Sequence, residues 1–169
     1  VIETLVAAVG DRVPIIPMIG TLSTAEAVEL TRDAEAAGAS GFMVLPPYVY
    51  SSDEREMRAH FVAVLSATER PCMFYNNPVA YKTDFLPPQI LDLAREFPHL
   101  NAVKESSADI RRTSWLRALK EDDFSLLMGV DDIAFEAFAI GTDGWIAGLV
   151  NAFPEESVLL YELTKAGRL

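Results

Sequence analysis

A single cysteine in 169 residues, Cys72, leaves no disulfide framework and no cysteine-ligated zinc site within this chain. It falls in the apolar run Cys72-Met73-Phe74-Tyr75, where a buried, inert thiol is the expectation. Histidine is nearly as scarce. His60 falls in a helical pattern and His99 in a loop before an apolar run, and both are expected at the surface. Basic residues are few: 14 Lys and Arg stand against 25 Asp and Glu, for a net charge of −11. A duplex-binding surface needs clustered Lys and Arg, so neither nucleic acid nor an anionic membrane is an expected partner. No apolar stretch reaches the ~20 residues that span a bilayer, and no signal peptide pattern opens the chain. The cytoplasm is therefore the expected compartment.

Apolar residues make up half the chain, enough for one buried core. They recur in short runs: Val13–Ile19, Gly41–Leu45, Pro71–Tyr75, Ala102–Lys104, Ser125–Met128 and Gly144–Ala147. The runs lack strict polar alternation, as strands covered on both faces do. Helical patterns separate them, with start and stop signals. Ser23 to Glu26 and Ser51 to Glu54 read as capping boxes. Pro87-Pro88 and Pro154 suit first helical turns. Ser107 or Asp109 is an expected cap, Asp131-Asp132 is expected to open another helix, and Gly38, Gly141 and Gly167 read as stops.

Repeated βα units with covered strands predict a parallel sheet with right-handed crossovers. An open doubly wound sheet and a barrel both satisfy this. Even spacing, and the lack of a Gly-x-Gly-x-x-Gly loop after a strand, favour a (β/α)8 TIM barrel. The chain is expected to carry about six C-terminal βα units of it, as one domain over residues 1–169. Val1–Val9 reads as the middle of a helix, so the first two strands are expected ahead of Val1.

Barrel active sites form at the carboxyl ends of the strands. Those positions hold Gly20-Thr21, Pro46-Pro47-Tyr48, Tyr75-Asn76-Asn77, Lys104-Glu105-Ser106-Ser107, Gly129 with Asp131, and Ile146-Ala147-Gly148. Lys104 projected inside a barrel sheds hydration, and a free amine adds to carbonyl carbon to give a Schiff base. The alternative is a structural lysine paired with Glu105 or an aspartate, holding the barrel mouth together. Tyr75 ends the preceding run, where its phenol can move protons or simply fill a strand position. Trp115 and the Phe135/Phe138 pair read as core or interface. Asp131-Asp132 suits a helix cap better than a metal, and the Gly20-Thr21 turn is a weak carboxylate cradle.

The pieces Val13–Gly20 with Ser23-Thr24, Pro46-Pro-Tyr48, Phe74-Tyr-Asn-Asn-Pro78, Val103-Lys-Glu-Ser106, Gly129-Val-Asp-Asp132 and Gly141–Gly148 together make the chain similar to a known group. It resembles the dihydrodipicolinate synthase / N-acetylneuraminate lyase family of class I lyases along nearly its whole length. The resemblance implies a barrel enzyme, a homotetramer built as a dimer of dimers, with no metal and no organic cofactor. It implies that Lys104 forms a Schiff base with a small 2-oxo (or cyclic 2-imino) acid and that Tyr75 shuttles protons. Tyr48, Asn77, Ser106, Gly129 and Ile146 are the expected substrate-binding positions. The family's carboxylate-binding Gly-Thr-Thr-Gly-Glu-type loop has no counterpart after Val1. The synthase's second-carboxylate arginine is replaced by Ala80, and the second tyrosine of its pair by Val49. These departures argue against the synthase proper, and Pro47–Asp53 with Tyr75–Pro78 and Lys104–Ser107 resembles the dehydratase and deaminase branch, nearest to 1-pyrroline-4-hydroxy-2-carboxylate deaminase or a 2-keto-3-deoxy sugar acid dehydratase. The same lysine and tyrosine would serve an aldolase joining or cleaving a C–C bond with pyruvate. A catalytically silent metabolite-binding barrel is the reading from another class.

Overall fold

Helices and strands alternate along the chain. In order they are α1 (Ile2–Val9), β1 (Met18–Ile19), α2 (Thr24–Ala36), β2 (Phe42–Val44), α3 (Glu54–Leu65), β3 (Cys72–Asn76), α4 (Pro78–Tyr81), α5 (Pro87–Glu96), β4 (Leu100–Glu105), α6 (Ile110–Leu119), β5 (Ser125–Met128), α7 (Ala134–Ile140), β6 (Gly144–Trp145) and α8 (Pro154–Lys165). This computed structural model describes every residue except Ser51, Ala147 and Leu169. The capping box expected from Ser51 and the last residue of the sixth expected strand, Ala147, lie outside the described residues.

All six strands pair in parallel, in the order β1-β2-β3-β4-β5-β6. A doubly wound sheet reverses its strand order at a switch point, and this sheet never does. The order is that of consecutive barrel units. The strand at Val13–Ile19 is cut to Met18–Ile19. Pro14 and Pro17 have no amide proton to give to a ladder. The segment still follows its neighbour, as Ser40 donates to the Ile15 carbonyl at 2.8 Å and Met43 to that of Pro17 at 3.0 Å.

Side-chain alternation divides the sheet into two faces. Ile19, Phe42, Val44, Cys72, Phe74, Leu100, Val103 and Leu126 point to the helices and form the core with Phe61, Leu65, Phe85 and Leu116. Phe61 stacks on Phe74 with ring centroids 4.0 Å apart, and Phe85 meets both edge-on. Burial pushes the Cys72 thiol up to about 12, so it is the inert core group expected. The opposite face carries Met18, Met43, Met73, Tyr75, Ala102, Lys104 and Leu127.

Ser23 caps α2 by accepting from the Glu26 amide at 3.2 Å, and Asp53 with Glu56 forms the box that opens α3. Asp109 caps α6. Three sequence expectations are corrected. Asp131-Asp132 does not open α7, which begins at Ala134 without a side-chain cap. The Asp131 carboxylate instead accepts from the Leu149 amide at 3.1 Å, tying the ends of two strands together. Of the aromatics read as core or interface, Trp115 and Phe135 are exposed on their helices, which removes the core option for these two, and Phe138 is core, because helical spacing does not say which stripe faces the sheet.

The third correction is His60, which is buried at 6% exposure rather than at the surface. The ring lies between the start of α2 and the residue that follows β2. Nε2 is 3.1 Å from the Leu45 carbonyl, which only accepts, so Nε2 carries the proton. Nδ1, 2.9 Å from the Thr24 hydroxyl, is then the acceptor. His99 is half-buried and contacts the Leu65 carbonyl at 3.1 Å. Burial lowers the His60 pKa from 6.5, outweighing the Leu45 hydrogen bond. As pH falls through that value the unfolded chain takes the proton first, so stability contributed by neutral His60 is progressively lost. Urea midpoints between pH 7.5 and 5 should fall more steeply in the wild type than in His60→Gln. Parallel slopes would contradict this assignment.

Candidate active site

Tyr75 and Lys104 meet because of one irregularity. β3 and β4 start in register at Cys72 and Leu100, but Met73 then pairs with Ala102, leaving Asn101 as an extra residue. From there Tyr75 lies opposite Lys104 and Asn76 opposite Glu105. Without the bulge, Lys104 would pair with Asn76 on the helix-facing side, since a shift of one residue exchanges faces. With it, the Lys104 amine lies 4.1 Å from the centroid of the Tyr75 ring.

The glycine at the tip of β5 makes space for this amine. A Cβ on Gly129 would stand 2.7 Å from Lys104 Cε and 1.9 Å from the Ser106 hydroxyl. Ser106 is buried, and its hydroxyl has no partner among the described residues. A buried hydroxyl without a partner calls for an explanation, and a bound ligand is one candidate. Ile146, following β6, lies level with Gly129 and donates to the Met128 carbonyl at 2.9 Å. The structure brings Tyr75, Lys104, Asn77, Ser106 and Gly129 together. Ile146 borders them across β5, and Tyr48 joins them through Tyr81. Gly129→Ala should push both side chains aside and lower stability as well, because Ser106 is buried and Lys104 Cγ, 2.9 Å from the added Cβ, lies close to the backbone. A displacement near 1 Å costs reacting groups about a hundredfold, so borohydride trapping of a 2-oxo acid should slow by roughly that factor at temperatures where the variant is still folded. Equal trapping rates would refute the packing role.

The loop after β3 was not expected to be ordered as it is. Asn77 caps the single turn α4 by accepting from the Ala80 amide at 3.1 Å, which fixes its amide so that Nδ2 donates to the Tyr75 hydroxyl at 3.1 Å. Lys82 ends the turn in the left-handed region, φ 57°. The buried Thr83 hydroxyl donates to the Pro47 carbonyl at 2.8 Å, binding α4 to the loop that carries Tyr48. Tyr81 is thereby set edge-on to Tyr75, centroids 5.8 Å apart, and tilted against Tyr48 at 5.6 Å. Its phenol pKa is raised, first by burial and then by the neighbouring Tyr75 phenol. A tyrosine in a region read as a plain connection gave no sequence signal.

Behind the site, on the helix-facing side, Asn76 and Glu105 lock the two strand tips. Asn76 Nδ2 donates to Glu105 Oε2 at 3.1 Å and to the Phe85 carbonyl at 3.2 Å, while its Oδ1 accepts from the Phe85 amide. Glu105 Oε1 accepts from the Ser107 amide at 2.6 Å. Burial raises the Glu105 pKa, outweighing these hydrogen bonds. Glu105 makes no ion pair with Lys104, so the pairing alternative for the lysine is not what the structure shows. Beyond it, Asp84 holds Arg112 through a two-point contact. Among the described residues, no group of His, Cys, Asp and Glu is arranged to hold a metal ion, and no helix is long and apolar enough to cross a membrane.

Six consecutive parallel βα units are those of a (β/α)8 barrel, and the lysine and tyrosine stand at adjacent strand tips on the carboxyl end of its sheet, where such barrels carry their sites. The dihydrodipicolinate synthetase family model matches residues 1–169. A 4-hydroxy-tetrahydrodipicolinate synthase of Methanopyrus kandleri is 35% identical over 167 residues, covering 99% of this chain and 56% of the relative. The dihydrodipicolinate synthase structure from Aquifex aeolicus superposes with a TM-score of 0.93 at 30% identity, over 99% of this chain and 57% of that one. A prophage protein of the same family from E. coli K12, solved in complex with pyruvate, superposes at 0.90 with 27% identity, over 99% and 57%. The chain belongs to the dihydrodipicolinate synthetase family. It spans a little over half the length of the curated relatives it matches.

Proposed function

We propose that this chain carries the reacting residues of a class I lyase that forms a Schiff base with a small 2-oxo acid. The observation that carries the reading is the Lys104 amine 4.1 Å over the Tyr75 ring, at adjacent strand tips. As the free amine, Lys104 adds to C2 of the 2-oxo acid to give a carbinolamine. Tyr75 delivers a proton to the departing oxygen, water leaves, and a protonated imine remains. That imine withdraws electrons from C3, making a C3 proton acidic. Tyr48, Asn77, Ser106, Gly129 and Ile146 would frame the substrate, and neither metal nor organic cofactor is required. A pyruvate complex in one relative supports the substrate class.

Two outcomes of the imine are open to these residues. Loss of a C4 hydroxyl gives a dehydratase, or a deaminase when the substrate is a cyclic imine. Ala80 and Val49, where the synthase keeps an arginine and a tyrosine, favour this branch. Attack of the C3 carbanion on an aldehyde or imine gives an aldolase or synthase, and the synthase names of the relatives favour that one. We further propose a cytoplasmic homo-oligomer built from dimers. The test is intact mass after sodium borohydride and pyruvate are added to the protein in its full natural length. The expected adduct adds one reduced pyruvate. Product analysis with 4-hydroxylated 2-oxo acids then separates dehydration from C–C cleavage. No adduct with any 2-oxo acid would remove the lyase reading.

A further inference from the structure

We propose that Arg112 is a positioning residue for the site: by holding both oxygens of Asp84 it leaves the Asn76 amide to Glu105, and so fixes the strand tips on which Tyr75 and Lys104 stand. The inference rests on the Schiff-base reading above. Arg112 lies in the first turn of α6, where the helix presents its positive end and a cation is disfavoured. Arg111 beside it pairs with Asp109, the cap of the same helix, at the surface. Arg112 turns to another element instead. Its side chain is 19% exposed, and its guanidinium donates to both carboxylate oxygens of Asp84, in the loop between α4 and α5, one arm at 2.7 Å. A two-point fork of this kind is the strong, directional form of an ion pair.

The fork decides where the Asn76 amide is spent. Nδ2 has two protons to donate, and three acceptors lie within its reach: Glu105 Oε2 at 3.1 Å, the Phe85 carbonyl at 3.2 Å and Asp84 Oδ1 at 3.4 Å. With Arg112 on Asp84, the two closer acceptors keep the amide. The side chains of Asn76 and Glu105 are then fixed, and their backbones carry that order into the site. The Asn76 carbonyl accepts from the Ser106 amide at 2.8 Å, and the Glu105 carbonyl accepts from the Gly129 amide at 2.9 Å. Ser106 and Gly129 are the residues packed around the Lys104 side chain. Without the guanidinium, Asp84 and Glu105 become two carboxylates competing for one amide. The other charged groups around them are Asp109 and Arg111 at the start of α6 and, on the opposite face of β4, Lys104. Arg112 is the cation that favours the ionised form of Glu105 against burial. Once it is gone, the carboxylate pair takes up a shared proton more readily as pH falls.

The experiment is single-turnover borohydride trapping with pyruvate in the full natural protein, from pH 8 to pH 5, with each rate divided by that of wild type. Arg112→Met keeps the length of the side chain and removes the charge and the fork. It should trap about tenfold more slowly at pH 8, less than the hundredfold that a whole ångström of displacement costs. The loss should shrink to about twofold at pH 5, because a proton on either carboxylate ends the competition. Adding Asp84→Ala removes the competing acceptor and should restore most of the rate at pH 8, although nothing then ties α6 to the loop. If Arg112→Met does not fold, this double variant decides: it should fold and trap within about threefold of wild type, since uncompensated charge and not lost packing is the harm. A wild-type rate in Arg112→Met overturns the proposal while leaving the lysine chemistry intact. A loss that is equal at every pH and deepens with Asp84→Ala also overturns it, making Arg112 a tether. So does a double variant that fails to fold. No adduct in the wild type overturns the Schiff-base reading, and the positioning role with it.

Discussion

Lys104→Ala should abolish the borohydride-trapped adduct and lower kcat/KM at least about a thousandfold, near 4 kcal/mol in transition-state stabilisation. On the proposed Schiff-base reading the loss is large because the amine would do two jobs that no neighbour can take over. It would supply the bond to C2, and once joined it would become the electron sink that makes C3 reactive. Glu105 faces away from the site, Arg112 is committed to Asp84, and Lys82 is exposed beyond α4. None stands over Tyr75. Folding should change little. The variant gives up an amine–ring contact worth about 0.5–1 kcal/mol in a partly exposed setting. Tyr75→Phe would sort the two residues: it should slow trapping by about a hundredfold or more without abolishing the adduct. The silent-barrel alternative makes the opposite forecast. If the protein only binds its ligand, calorimetric affinity for pyruvate should survive Lys104→Ala, and no wild-type adduct should ever form.

The parts of this site that could be read from the sequence are those carried by single residues at the ends of apolar runs. Parallel strands bury both faces, so their runs stand out, and barrel geometry says that the last residue of each run matters. Lys104 and Tyr75 were legible on that ground. What joins them was not. The bulge at Asn101 is an exposed asparagine in a strand, and nothing in its identity announces that it resets the register. A strict count of alternation would have put Lys104 opposite Asn76. Tyr81 escaped for a related reason. Its position depends on a one-turn helix capped by Asn77 and ended by Lys82 at positive φ, which only tertiary contact to the Pro47 carbonyl selects. His60 was misplaced because a helical position away from the strand tips does not say which way the ring faces, and the two hydrogen bonds that admit it to the interior come from Thr24 and Leu45, far along the chain.

The same distance between sequence and contact makes Asn76 the position whose loss should cost most in folding. Asn76→Ala is expected to destabilise the protein by about 3 kcal/mol, because buried groups left without partners cost roughly 1–3 kcal/mol each. The Phe85 amide and carbonyl both bind Asn76 now, as does one oxygen of Glu105. Alanine satisfies none of them, and Asn76 is fully buried, so water does not replace it. The effect should reach the site as well, since Asn76 is next to Tyr75 and Glu105 next to Lys104. Trapping should slow even at temperatures where the variant is folded. Asn76→Asp separates charge from shape. It sets a second carboxylate beside Glu105, whose pKa burial already raises. Two such groups hold a shared proton more tightly folded than unfolded, so the folded state gains stability as pH falls. Urea midpoints of Asn76→Asp, relative to wild type, should therefore recover from pH 7.5 towards pH 5. Those of Asn76→Ala should stay low throughout. An alanine variant within 1 kcal/mol of wild type would mean that α5 and the strand tips are held by the Phe61–Phe74–Phe85 stack alone, with the polar lock contributing orientation and no net stability.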